Sequence, residues 1–307
     1  MSRRPPLALV GPTAVGKTDL SLALAEALDA EIVSVDSMLV YRGMDIGTAK
    51  PSVGERARVP HHLIDVAEPS EPFSVARFQE LAREAIERID ARGRPALLVG
   101  GSGLYFRAVV DDLEFPGTDP ATRSRLEQQA EALGPERLYE RLAASDPVAA
   151  ARIDPGNVRR TIRALEVPAI TGRAFSTFAQ AWERYDVECV RAAGLLMPRE
   201  ASIARIGVRV RSMLDAGWLD EVRTLVERGS GGWLTSTQAI GYAELARHLR
   251  GDMTLEAAVE ATVKRTGNLA RRQMSWFRRD PRIRWFDVDE RGALAAFEPI
   301  LAYLEGH

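Results

Sequence analysis

Short apolar runs alternate with amphipathic stretches over the first hundred residues of this 307-residue chain. Residues 7–10, 32–35 and 96–99 are apolar and short, as expected for strands that are covered on both faces. Residues 75–89 carry apolar side chains at helical spacing on one face, and the stretch 92–95, which contains glycine and proline, ends that helix. Repeated strand–helix units of this kind predict an α/β fold with a parallel sheet between two layers of helices.

The pattern becomes helical and charge-rich from residue 119 to about 185, with no convincing strand. An apolar run at 191–197 then marks a return to the sheet. We therefore predict a helical insertion at 116–186 within a core that is built from residues 1–115 and 187–307.

The chain after this return is predicted to continue with a long amphipathic stretch, two further helices and a last strand, at 201–228, up to 279 and at 282–288. Between Lys264 and Arg284 there are eight Lys or Arg residues and one acid, Asp280. The net charge of the whole chain is only −2. A basic segment on a protein that is otherwise slightly acidic predicts that a polyanion binds at particular places on its surface.

Composition excludes several classes of protein. Apolar residues make up 46% of the chain and charged residues 27%, which is ordinary for a globular protein. No apolar run approaches the roughly 20 residues of a membrane span, and residues 1–6 lead into the first strand without a signal-peptide core. The single cysteine, Cys189, excludes an internal disulfide, and the four histidines show no metal-ligand spacing. We expect a cytoplasmic monomer without membrane contact.

The strongest motif lies between the first strand and a helix expected from about residue 18 to 28. Its residues are Gly11, Pro12, Thr13, Ala14, Val15, Gly16, Lys17 and Thr18. The spacing G-x-x-x-x-G-K-T between a strand and a helix is that of a phosphate-binding P-loop, whose backbone N–H groups, lysine and helix N-terminus hold phosphate oxygens. Thr18 is placed to hold Mg²⁺. The motif itself does not say which phosphate compound binds.

Asp36 follows the second strand, at the sheet edge where ligands bind in open α/β folds. It is a candidate general base or a water-mediated Mg²⁺ ligand, although an aspartate that caps a turn is the alternative. Thr48 and Lys50 lie in a loop that either closes over substrate or is a surface turn. Ser102 either caps a helix or contacts a ligand.

Arginines provide the remaining candidates. Arg205 and Arg209 share one face of a predicted helix and either reach the phosphates or form a solvated face. Arginines interleaved with Trp276 and Phe277 are typical of stacking on unpaired bases combined with backbone neutralisation. The alternative is that these two aromatic side chains belong to the core.

These segments together resemble the tRNA dimethylallyltransferase family. The resemblance rests on GPTAVGKT, DSMLVYRGMDIGTAKP, PHHLID, LVGGSGLYFRA, RALEV, AIGYAEL and LARRQMSWF, in that order, and it covers residues 7 to about 286. It implies a P-loop core related to small nucleotide kinases, with a helical insertion that grips the anticodon stem-loop of tRNA. It also implies transfer of a dimethylallyl group from dimethylallyl diphosphate to N6 of adenosine 37.

The resemblance assigns roles to single residues. Asp36 is the general base, Thr18 lies near Mg²⁺, and Arg209 holds the leaving group, while Gly11 to Thr18 bind the diphosphate. Positions matching tRNA-contacting segments are Asp36, Ser37, Met38, Leu39, Ser102, Arg123, Arg159, Arg160, Thr161, Ile162, Arg163, Gln238, Ala239, Ile240, Gly241, Tyr242, Ala243, Arg271, Arg272, Gln273, Met274, Ser275, Trp276, Phe277 and Arg278. Leu39 stands where the family commonly has glutamine.

Two alternatives remain from the residues alone. A metabolite kinase also has a P-loop followed by an aspartate at a strand end, but it does not need an arginine-rich aromatic segment near the C-terminus. A GTPase-like switch is disfavoured because the chain has no convincing base-specificity motif.

Overall fold

The computed structural model describes residues 5–228 and 239–307. Its strands are β1 (Leu7–Val10), β2 (Glu31–Ser34), β3 (His61–His62), β4 (Ala96–Gly100), β5 (Arg191–Leu196) and β6 (Ile283–Asp287). They form one sheet in the order β3-β2-β4-β1-β5-β6, and every neighbouring pair is parallel. The predicted parallel α/β fold is confirmed. Strand β3 was not predicted, because two residues are too few to show a pattern.

The α-helices of the described residues are α1 (Lys17–Ala27), α2 (Val53–Arg58), α3 (Val75–Ala91), α4 (Gly103–Val110), α5 (Pro120–Leu133), α6 (Pro135–Ser145), α7 (Pro147–Ala150), α8 (Val158–Thr171), α9 (Arg199–Asp215), α10 (Trp218–Glu227), α11 (Tyr242–Leu249), α12 (Leu255–Phe277) and α13 (Phe297–Glu305). The amphipathic stretch 201–228 is two helices rather than one. Gly217, with φ of 95°, separates α9 from α10. None of the helices described is long and apolar enough to cross a membrane.

Strand β1 shows why the sheet needs helices on both faces. Leu7 and Leu9 pack into a cluster with side chains of α1 and α13, whereas Ala8 and Val10 pack into a second cluster with side chains of α3 and α4. Successive residues of a strand point to opposite faces of the sheet, so all four side chains are buried only because helices cover both faces.

The chain divides into two compact units. One contains residues up to Val110 and from Val187 onward, so the central sheet is built from both ends of the chain. The other is Asp111–Asp186, which begins five residues before the predicted start at 116. This second unit has its own apolar cluster, which includes Leu126, Leu142 and Leu165. Its regular elements are α5 to α8 and a 3₁₀ helix, Phe175–Glu183.

The parallel arrangement brings the carboxyl ends of β1, β2 and β4 to one edge of the sheet. The chain is tightly packed there: a Cβ atom added to Gly100 would lie 2.4 Å from the carbonyl oxygen of Val35. The loop after β1 and Asp36 after β2 therefore meet at this edge, where ligands bind in open parallel sheets.

Candidate active site

The P-loop, Gly11 to Thr18, connects the end of β1 to α1. Gly11 has φ of 152° and Gly16 has φ of 96°, and positive values of this kind favour glycine. A Cβ at Gly16 would also lie 2.8 Å from the Cβ of Ala293. Because α1 begins at Lys17, the positive end of its dipole lies beside a cavity that this loop borders. The geometry is that of an anion site.

The ammonium group of Lys17 is held inside this loop. It donates to the carbonyl oxygens of Gly11, at 3.0 Å, and Pro12, at 2.7 Å. Burial lowers the pKa of Lys17 to about 8; nearby Arg209 lowers it further, and the negative charge of Asp36 opposes both effects. A diphosphate in the loop would supply the negative charge that favours the protonated amine.

Asp36 lies half-buried two residues beyond the end of β2. Its Oδ1 accepts a hydrogen bond from the backbone N–H of Met38 at 2.8 Å. This is the turn that the sequence offered as the alternative to a chemical role. The carboxylate also borders the cavity beside the P-loop. The turn orients the side chain, so both interpretations of Asp36 are compatible.

Two helices from the C-terminal half of the chain reach the P-loop at Thr13. Arg209 of α9 donates to the hydroxyl oxygen of Thr13 at 3.4 Å, and Oε1 of Gln273 in α12 accepts from its backbone N–H at 2.9 Å. Burial lowers the pKa of Arg209, and Asp36 opposes this effect. Sequence reasoning placed Gln273 among the tRNA contacts and missed its contact with the P-loop, since nothing in the pattern links positions 13 and 273.

Two cavities meet at these residues. The P-loop cavity, of about 550 Å³, is bordered by Lys17, Thr18 and Arg205, among others. The Trp218 cavity, of about 390 Å³, is bordered by Trp218 and Tyr242. Six residues border both cavities: Thr13, Ala14, Asp36, Thr48, Arg209 and Gln273. Asp36 is therefore accessible from either side.

The loop that contains Thr48 and Lys50 is a fixed wall of the P-loop cavity. The ammonium of Lys50 is buried and bonds to Asp45, to Asp65 at 2.6 Å and to the carbonyl oxygen of Tyr41 at 2.8 Å. Thr48 borders both cavities, and its hydroxyl donates to the carbonyl oxygen of Met44 at 2.6 Å. The basic residue of this loop thus anchors it, and the threonine faces the site.

The positions predicted to contact tRNA near Asp36 and Ser102 lie at or close to the same cavities. Ser37 and Met38 border the Trp218 cavity, and Leu39 borders the P-loop cavity. The Ser102 hydroxyl oxygen accepts from the backbone N–H of Tyr105 at 3.3 Å, as a helix cap does. Its backbone N–H donates to the carbonyl oxygen of Val35, next to Asp36.

The basic segment at the end of α12 presents one exposed face. Arg271, Arg272, Ser275 and Arg278 are exposed, whereas Gln273 and Met274 are half-buried. The two aromatic residues differ sharply: Trp276 is 45% exposed, and Phe277 is 1% exposed and packs with the ring of Phe106. The core interpretation is therefore confirmed for Phe277, whereas stacking of an unpaired base on Trp276 stays a prediction.

Part of this face forms a groove of about 900 Å³ between α9 and α12, bordered also by Pro12 of the P-loop. The charged residues that line it are all basic: Arg199, Lys264, Arg271, Arg278 and Arg279. An exposed groove of one charge sign favours a polyanion.

The segment at 238–243 is described only in part, because Gln238 lies outside the described residues. Ala239, Gly241 and Tyr242 are buried, and Ile240 and Ala243 are half-buried. Ala239, Ile240 and Tyr242 border the Trp218 cavity. These positions thus line a cavity more than they form an outer surface.

Two of the arginines predicted in the insertion form ion pairs with Glu166, whose side chain is fully buried. Its carboxylate bonds to Arg123 and to Arg163, each at 2.7 Å. The side chains of Thr161 and Ile162 are buried, and Arg159 and Arg160 are exposed. Arg123 and Arg163 therefore have a structural partner that the sequence did not reveal, while a tRNA contact by any of these residues stays a prediction.

Comparisons with known proteins match most of the chain. The family model described as IPP transferase matches residues 39–280. A tRNA dimethylallyltransferase of a Nocardioides species is 49% identical over 99% of this chain and 98% of its own length. The tRNA dimethylallyltransferase of Desulforudis audaxviator is 50% identical over 95% of each chain.

Solved structures of similar fold also match nearly the whole chain. The full-length tRNA isopentenylpyrophosphate transferase from Bacillus halodurans is 42% identical, with a TM-score of 0.70, over 98% of this chain and 97% of that one. A eukaryotic dimethylallyltransferase captured acting on tRNA is 27% identical, with a TM-score of 0.77, over 95% of this chain and 75% of that one.

Proposed function

Since the chain belongs to the IPP transferase family, we propose that it transfers the dimethylallyl group of dimethylallyl diphosphate to N6 of adenosine 37 in tRNA. The products are N6-(dimethylallyl)adenosine and diphosphate. The observation that carries this proposal is the position of Asp36 on the wall shared by the P-loop cavity and the Trp218 cavity. A carboxylate there lies between an anion site and a second cavity, to which we assign the acceptor base.

The diphosphate belongs in the P-loop cavity. Lys17, the N-terminus of α1 and Arg209 supply positive charge around it. When the allylic C1–O bond breaks, its electron pair stays on the diphosphate, and fixed positive charge stabilises that leaving group. The ammonium of Lys17 now bonded to two loop carbonyls is placed to bond to phosphate oxygens instead.

Asp36 acts on the acceptor base. N6 of adenine is a weak nucleophile because its lone pair is delocalised into the ring. As the bond between N6 and C1 forms, the amine loses a proton, and the carboxylate of Asp36 takes it. The base reaches this carboxylate only after it leaves the stack of the stem-loop, as base-modifying enzymes require.

Mg²⁺ fits the same cavity. The Thr18 hydroxyl and the Asp36 carboxylate both border it, and no cluster of three or more His, Cys, Asp or Glu suited to a metal occurs among the described residues. Mg²⁺ typically takes one or two protein ligands and completes its shell with substrate phosphates and water. When bound with the diphosphate, the ion neutralises part of the leaving group's charge.

The exposed face of α12 supports an RNA partner. Arg271, Arg272 and Arg278 are suited to phosphates and Trp276 to an unstacked base. Gln273 of the same helix touches the P-loop. The family membership and this face together favour the tRNA transferase over the metabolite kinase.

The variant Asp36→Asn tests the mechanism more sharply than Asp36→Ala. Its amide oxygen still accepts from the N–H of Met38, so the turn is kept, but the amide cannot take a proton. We expect kcat for prenylation to fall about 10²- to 10⁴-fold, with tRNA binding largely intact.

The assay is transfer of radiolabel from dimethylallyl diphosphate to tRNA in the presence of Mg²⁺, and binding is measured separately by filter retention. Near-normal transfer by Asp36→Asn would refute the general-base role. Absence of label from tRNA with the wild-type protein would refute the proposed function itself.

A further inference from the structure

Glu221, near the start of α10, collects hydrogen bonds from two separate parts of the chain. Its Oε2 accepts the backbone N–H groups of Asp45 at 2.9 Å and Ile46 at 2.8 Å. Its Oε1 accepts the N–H of Gly47 at 3.3 Å and the hydroxyl of Tyr242 at 2.6 Å. Four donors therefore converge on one carboxylate.

Three of these donors are consecutive backbone groups. Successive N–H groups that point at one anion fix the path of a loop, because each bond constrains the peptide that carries it. The next residue is Thr48, which borders both cavities. Glu221 thus determines where the wall containing Gly47 and Thr48 stands.

The fourth donor, Tyr242, is the first residue of α11 and borders the Trp218 cavity. Burial raises the pKa of its phenol, and the adjacent charge of Glu221 raises it further, so the hydroxyl remains a donor at neutral pH. The same carboxylate therefore fixes a second wall of the Trp218 cavity.

Steric packing leaves these two walls little freedom. The indole of Trp218, at the start of α10, fills the space between them. A Cβ added to Gly47 would lie 2.1 Å from its Nε1, and a Cβ added to Gly241 would lie 2.0 Å from its Cη2. The rings of Trp218 and Tyr242 meet edge to face with centroids 5.6 Å apart. The loop, α10 and α11 are held against one another at Glu221.

We infer that Glu221 is a positioning residue for the acceptor base: it sets the width of the Trp218 cavity by holding Gly47–Thr48 and the start of α11 in register. This inference rests on the proposed function, since it assigns the Trp218 cavity to the adenine and its neighbours. Gly47, Thr48 and Tyr242 line that cavity, and Glu221 acts through them.

The test compares Glu221→Gln and Tyr242→Phe with Glu227→Gln, a control on the exposed face of the same helix. The glutamine keeps the size of the side chain, but it loses the charge and turns one acceptor oxygen into a donor facing N–H groups. We expect kcat to fall at least about 10-fold and KM for tRNA to rise in Glu221→Gln, because misplaced walls spoil the orientation of the base. Tyr242→Phe loses one bond and is expected to lose about threefold in kcat.

Binding of inorganic pyrophosphate separates two causes of lost activity. General unfolding would weaken this binding, whereas mispositioning of the base would not. We expect Glu221→Gln to bind it within about twofold of wild type, because no group of the P-loop bonds to Glu221 and the bonds of Lys50 still hold the loop beside Thr48. Hydrogen exchange at the amides of Asp45, Ile46 and Gly47 should be faster in the variant, and this readout does not depend on any reaction.

Wild-type kcat and wild-type KM for tRNA in Glu221→Gln would overturn the inference. Equal loss of pyrophosphate binding and of transfer would also overturn it, because Glu221 would then support the whole core. A wild-type protein that does not prenylate tRNA refutes the proposed function instead, whatever the exchange rates of the three amides.

Discussion

Two groups of arginines lie in the parts of the chain that resemble tRNA-binding segments, and their surroundings differ. In the insertion, Arg123 and Arg163 bond to Glu166, and Arg163 also donates to the carbonyl oxygens of Pro116 and Gly117. At the end of α12, Arg271, Arg272 and Arg278 are exposed, and no carboxylate of the described residues forms an ion pair with them. Arginine density alone therefore does not identify an RNA surface; a buried acid changes what the arginines do.

The largest expected effect tests the structural group. Glu166→Gln removes the charge that two arginines share, and leaves both partly buried without a counter-ion. We expect the free energy of unfolding of the insertion to fall by about 3–5 kcal/mol. Hydrogen exchange at amides of α5 to α8, followed as denaturant is added, measures it, because these helices lie in the insertion.

Arg163→Ala and Arg160→Ala provide the matched pair for this prediction. Arg163 bonds to Glu166. Arg160 lies three residues before Arg163 and is exposed. Only Arg163→Ala should destabilise the unit. Equal stability of these two variants would mean that Glu166 does not organise the insertion.

The next effect separates the adjacent aromatic residues of α12. Trp276→Ala should weaken tRNA binding by about 1–3 kcal/mol, the value of stacking one base, with little change in stability. Phe277→Ala should instead destabilise the core by about 3–5 kcal/mol, because its ring is buried. Filter binding and thermal unfolding, measured on both variants, test the contrast; similar effects of the two changes on tRNA affinity would contradict it.

These contrasts show what could be predicted from the sequence. The P-loop, Asp36 and the parallel sheet depend on local patterns, since a strand, a turn and a helix follow one another within a few residues. The partners of Arg123, Gln273 and Glu221 lie far away in the sequence. Glu166 lies only three residues after Arg163, but the spacing does not show that its side chain is buried. Helical periodicity gives the spacing of Trp276 and Phe277, but only the packing of α12 against Phe106 decides which ring is buried. The long-range contacts therefore required the structure.

A smaller effect is expected from the exposed arginines. Each phosphate contact contributes about 0.7–0.9 to the slope of log K against log salt concentration. Arg271→Ala combined with Arg272→Ala should lower this slope by up to about 1.4–1.8 and weaken tRNA binding at low salt, with unchanged unfolding. If the bond to Glu166 keeps Arg163 from RNA, Arg163→Ala, compared at a temperature where it is folded, leaves the slope unchanged. A reduced slope in Arg163→Ala would mean that Glu166 does not keep this arginine from RNA.

The smallest effect concerns Lys17, a buried cation. Its amine can lose its charge near physiological pH, whereas an arginine stays charged. The pKa of Lys17 is lowered to about 8, so the amine is mostly protonated at pH 7 and mostly neutral at pH 9. Only the protonated form attracts diphosphate, and affinity must therefore fall as pH rises through this range. We expect about a fourfold loss of pyrophosphate affinity between pH 7 and pH 8.5 from Lys17 alone.

The chain offers a direct way to observe this titration, because it has only three lysines, Lys17, Lys50 and Lys264. Spectra of protein labelled with ¹³C at the lysine Cε should show three signals, and the one lost in Lys17→Arg belongs to Lys17. Its midpoint should lie near pH 8 in the free protein and move upward when pyrophosphate binds, since the added negative charge favours the ammonium form. Pyrophosphate itself gains charge over the same pH range, so its affinity for Lys17→Arg, which keeps its charge, is the reference for the fourfold loss. A midpoint that pyrophosphate does not move would show that Lys17 does not contact the diphosphate, and the anion site would then consist of the loop amides and Arg209.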